Sequence, residues 1–78
     1  MTQPKTMPTT HFHIATLRTQ NDADAVLFEL QDLPCIHVAD VQLLAHTAWA
    51  QHTHLISPEE IAAALEQAGY PATITETR

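Results

Sequence analysis

The chain has one cysteine and one glycine among its 78 residues, and only three lysines and arginines. Each scarcity excludes something. The lone thiol, Cys35, rules out an internal disulfide framework and fits a reducing compartment. Three basic against nine acidic residues give a formal charge of −6. That balance cannot hold a phosphate backbone, so nucleic acid is not expected as a partner. A single glycine leaves no phosphate-cradling loop, and no nucleophile sits in a recognisable motif, so no enzyme is expected. No apolar run approaches the roughly 18 residues of a membrane span. The opening MTQPKTMPTT lacks the apolar segment of a signal peptide, which reads as a cytoplasmic protein. Its prolines and threonines predict a disordered lead-in over residues 1–10.

What is present is ordinary globular material, 45% hydrophobic, enough for one small domain over residues 11–76. HFHIA at 11–15 alternates polar and apolar, a half-buried strand with Phe12 and Ile14 inward. The polar stretch TLRTQND follows. Beyond it, Ala23, Val26, Leu27 and Leu30 recur at the three- and four-residue spacing of an amphipathic helix. Thr19 and Asp22 are spaced as a capping box, and Leu33-Pro34 ends the helix. From Cys35 to His54 no helical period exists. A strand with one irregular step near its start, a turn at Ala45-His46 and a return strand over 47–52 are expected, with Trp49 inward. The second helix is marked most clearly. Ser57 caps it, Pro58 takes its first position, Glu60 completes the box, and Gly69 ends it in left-handed conformation. Residues 71–75 then form a short edge strand. The resulting β-α-β-β-α-β order predicts an α+β, ferredoxin-like sandwich: a four-stranded antiparallel sheet in order 4-1-3-2, with two helices on one face.

ISPEEIAAALEQAGYPATI, at 56–74, resembles the C-terminal part of heavy-metal-associated domains, the small modules of copper chaperones and metal-pumping ATPases. Pro58-Glu59-Glu60-Ile61, Ala64-Leu65 and Gly69-Tyr70 carry the likeness, and the apolar positions extend it over residues 11–75. The resemblance implies a metallochaperone-like, metal-ion-binding domain. In that family the first loop reads Gly-Met-x-Cys-x-x-Cys, and its thiolates bind Cu(I). Here the cysteine positions fall on Thr19 and Asp22, a degenerate CxxC, and the methionine on Leu17. Hydroxyl and carboxylate are hard donors that cannot replace thiolates for a soft ion. Thr19 and Asp22 therefore read first as helix caps, Tyr70 as an aromatic packing near that loop, and Cys35 as standing where the family usually has glycine.

Six histidines in so short a chain are unusual. His11, His13, His37, His52 and His54 are expected together at one end of the sheet, away from TLRTQND, with His46 at the other. Imidazoles on adjacent strands can share an ion such as Zn(II), Ni(II) or Cu(II). Two functions from different classes follow. One is metal binding through nitrogen. The other is a metal-free interaction or regulatory module that docks a protein partner, or a second copy, on the open sheet face.

Overall fold

The structure, a computed structural model, describes residues 8–78. Its elements are β1 (Thr9–His13), α1 (Gln20–Asp32), β2 (Ile36–Gln42), β3 (Thr47–His52), α2 (Pro58–Gln67) and β4 (Thr73–Thr77). The strands form one antiparallel sheet in order β2-β3-β1-β4, the expected ferredoxin-like plan. Phe12 and Ile14 from the first strand region meet Ala48 and Ala50 of β3, Val26 and Leu30 of α1, and Ile61 and Leu65 of α2 in a single core cluster. Both helices therefore cover the same sheet face.

Capping fixes where the helices start. Thr19 and Ser57 each accept from the N–H three residues on, and Asp22 and Glu60 reach back to the cap backbones. These reciprocal bonds satisfy helix-end donors that would otherwise be orphaned. At the C-terminus of α2, the Gly69 N–H reaches Glu66 O at 3.0 Å and the Tyr70 N–H reaches Leu65 O at 2.8 Å. This Schellman pattern needs a left-handed residue, and Gly69 supplies it at φ 97°.

Several expectations need correction. β1 begins at Thr9, so residues 9 and 10 are not part of any disordered lead-in; residues 1–7 lie outside the described residues. Thr9 is tied to Arg78 by paired backbone bonds of 2.8 and 2.9 Å. The same zipper carries β4 to Thr77, past the expected end at 75. Trp49 is not core. It sits between buried Ala48 and Ala50 and so faces the open side, half-buried, opposite His11 on β1 and Asp40 on β2. Strand side chains alternate, and a one-residue shift would have buried Thr47, Trp49 and Gln51 together. The irregular step in β2 is real: Ile36 pairs with His52 but Val38 with Gln51, so His37 is the extra residue of a bulge.

Candidate functional site

Residues 14–19 connect β1 to α1 and stand where the resemblance puts a metal loop. The loop is not a loose strap. Leu17 is fully buried and belongs to the core cluster, and its N–H bonds Ile14 O at 3.2 Å. Past it, both carboxylate oxygens of Asp22 are hydrogen-bonded. Its Oδ2 accepts from the Arg18 and Thr19 backbone N–H groups at 3.1 and 3.2 Å. Its Oδ1 accepts from the Tyr70 hydroxyl at 3.0 Å. In return the Asp22 N–H donates to Thr19 Oγ1 at 3.2 Å.

The Schellman turn that places Tyr70 thus joins the end of α2 to the start of α1. Tyr70 does pack on the core, as expected, but it also makes this bond. The Arg18 N–H first, and then the Tyr70 hydroxyl, hold the Asp22 carboxyl below its ordinary value. The carboxylate in turn pushes the Tyr70 phenol up. An anion suits the positive end of α1, whereas a bare cation is disfavoured there and would compete with the donors already on Asp22. Thr19 and Asp22 work as caps.

The histidines do not gather as expected. His11 and His13 alternate with buried Phe12 and so lie on the open face. His37 is exposed at the β2 bulge, and His54 is exposed in the turn after β3. His52 points inward and is 1% exposed. Its Nδ1 lies 2.8 Å from the Thr53 carbonyl and its Nε2 2.8 Å from Thr10 Oγ1. A carbonyl only accepts, so Nδ1 carries the proton, and in the neutral ring Nε2 takes the Thr10 hydroxyl. Both nitrogens of His52 are occupied by the fold. β1 also runs toward the loop, which puts His13 at the loop end rather than with His52. There its ring meets that of His46, with centroids 6.5 Å apart. Among the described residues, no three His, Cys, Asp or Glu side chains come together as a metal site. His46 stands at the loop end as expected; His13 joins it there because β1 starts at Thr9 and His13 is its last residue. His13 pairs with Thr47, the neighbour of His46, and counting outward from the turn would have shown it.

Cys35 has φ 70°, a left-handed conformation unusual for a side chain other than glycine, which fits its place in the resemblance. It is a free, half-buried thiol packed against the core. No helix among the described residues is long and apolar enough to cross a membrane.

No family model and no curated relative matches the chain. Solved structures do. A copper-binding domain of a P-type ATPase matches at 22% identity over 92% of this chain and 99% of that one, with a TM-score of 0.88. The copper(I)-loaded first domain of the human copper chaperone for SOD1 matches at 24% over 95% and 100%, TM-score 0.82. Oxidized MerP from Ralstonia metallidurans matches at 16% over 87% and 96%, TM-score 0.83. At such identities the likeness establishes a shared fold: this chain has the fold of heavy-metal-associated domains.

Proposed function

We propose that this is a small metal-ion-binding domain of metallochaperone type whose cargo is held by imidazole nitrogen in place of thiolate sulfur. The supporting frame is the fold it shares with copper-handling domains. The observation that carries the reading is the closed bonding at Thr19, Asp22 and Tyr70. With both carboxylate oxygens hydrogen-bonded and no sulfur at these positions, the loop offers Cu(I) no soft donor. Imidazole suits Zn(II), Ni(II) and Cu(II). His52 is outside this reading because its nitrogens are bonded, and His37, at the β2 bulge, and His54, in the turn after β3, because they join no group of three donors among the described residues.

Equilibrium dialysis of untagged protein, with metal counted by mass spectrometry, tests the proposal. Near-stoichiometric Zn(II), Ni(II) or Cu(II) is expected, with any Cu(I) uptake indifferent to Thr19→Ala and Asp22→Ala. A second reading is a metal-free docking module. It is favoured by Leu44, which is 96% exposed in the β2–β3 turn at the loop end, an apolar side chain placed where a partner protein would meet it. Affinity for every one of these ions weaker than about millimolar would select that second reading.

A further inference from the structure

The end of β1 and the end of the β2–β3 turn bring together two imidazoles that the packing of the core does not require. His13 is the last residue of β1, paired with Thr47, and His46 directly precedes Thr47. The backbone around the pair is pinned. The His46 N–H reaches Leu43 O at 3.1 Å, and its carbonyl accepts from the Ile14 N–H at 2.7 Å. His46 itself has φ 55°, a left-handed position that histidine tolerates better than most residues. The rings are tilted by 52° with centroids 6.5 Å apart. His13 is exposed, whereas His46 is half-buried and its Nδ1 is shielded from water with no hydrogen-bond partner. A shielded polar atom without a partner is rare in folded proteins and marks a place where something polar belongs.

We infer that His13 and His46 form a two-nitrogen site for a divalent transition-metal ion, at the end of the fold where the 14–19 loop begins. This deepens the metal-binding reading above and rests on it. Two imidazoles on one ion, with metal–nitrogen bonds of about 2.0–2.1 Å, have ring centroids roughly 5–6 Å apart. The observed spacing is within reach of a small adjustment by the exposed His13 ring. Rotation about χ2, which is broad and two-fold for imidazole, presents either nitrogen of His46 to the space between the rings. No third His, Cys, Asp or Glu joins them among the described residues, so water completes the coordination. Such an open site suits an exchangeable ion better than a structural one, which takes four protein ligands. With nitrogen donors alone, Cu(II) binds ahead of Ni(II) and Zn(II).

The test is a titration of the untagged full chain with Zn(II) and with Cu(II). Calorimetry follows both ions, and the histidine ring resonances are followed by NMR for Zn(II). One equivalent should bind, and the ring signals of His13 and His46 should move before those of the other four histidines. His13→Gln or His46→Asn should each weaken binding by at least about tenfold, because even an outer-shell partner of a ligand is worth that much. Asn keeps the left-handed backbone at position 46 accessible, and unchanged melting of the metal-free variants separates lost ligands from lost folding. His11→Gln, His37→Gln and His54→Gln should leave affinity within twofold. Undiminished binding by the His13→Gln/His46→Asn double variant overturns this site and leaves the metal-binding reading standing. No binding by the native chain overturns both.

Discussion

Leu17 tests whether the 14–19 connection is a packed wall or a loose strap. It is fully buried in the core cluster although it lies in neither helix nor strand. Leu17→Ala removes three heavy atoms from that cluster and leaves a cavity that the loop, pinned at Ile14 and capped at Thr19, closes only in part. Truncations of this kind cost about 2–5 kcal/mol, and about 3 kcal/mol lies within that range. At ~2.1 cal/mol/K per residue, a chain of 78 residues has an unfolding entropy of about 0.16 kcal/mol/K, so the melting temperature should fall by about 18 °C. Leu17→Met keeps the volume and should cost less than about 1.5 kcal/mol. Thermal melts and urea titrations followed by circular dichroism read both variants, with an unchanged urea slope confirming that the native and denatured states are comparable. A fall of less than about 3 °C for Leu17→Ala, the size of an ordinary surface change, would refute the claim that this loop is held by packing.

Gly69→Ala should cost about 1–2 kcal/mol in urea unfolding from backbone strain alone, since a Cβ there meets nothing within 4 Å but φ is 97°. Tyr70→Phe should raise the Asp22 pKa toward 3.8, because the second of the bonds that depress it is lost. Because the folded value lies below the unfolded one, the contribution of Asp22 is complete above about pH 3.8 and disappears as pH falls through the folded value. The variant should therefore lose part of the pH dependence of stability below that pH; an unaltered profile in acid titration by NMR with parallel melts would contradict this. His52→Ala should destabilise by about 2–3 kcal/mol, from lost packing and the lost acceptor for the Thr10 hydroxyl, without changing metal affinity. His54→Ala should stay within about 0.5 kcal/mol; equal costs for the two would contradict the inward placement of His52.

What the sequence discloses and what it hides follows from the range of each interaction. Both helix starts are legible at Thr19/Asp22 and Ser57/Glu60 because a capping box is closed by residues three apart, as is the Gly69 stop. HFH declares its faces because Phe12 alone is apolar there. Over TAWAQH the signal fails, since Ala48, Trp49 and Ala50 are all apolar and size suggests the wrong one as core. The covering helices leave room for alanine beneath them, and the indole goes to the open face. Histidine positions depend on pairing across strands, and a bulge that makes His37 the extra residue is visible only as a broken pattern. The bond between Tyr70 and Asp22 spans 48 positions, and no local rule announces it.

Oxygen donors at Thr19 and Asp22, where the resemblance would put sulfur, determine what the start of α1 can do. Thiolates at positions 19 and 22 would present negative charge to the same N–H groups and still keep lone pairs for a soft ion, so helix end and cargo would be satisfied together. The carboxylate of Asp22 is the stronger acceptor for backbone N–H groups and the weaker ligand for such an ion, and Tyr70 takes the direction that remains open. Capping and cargo therefore become alternatives at this place, and capping wins without any ion present. The other end of the loop is held independently, through the Ile14 N–H on the carbonyl of His46. An ion taken by the two imidazoles would thus load beside a loop already fixed at both ends. Binding there should bring little ordering cost, and it should bring little of the coupled folding that a thiolate loop gains from its metal.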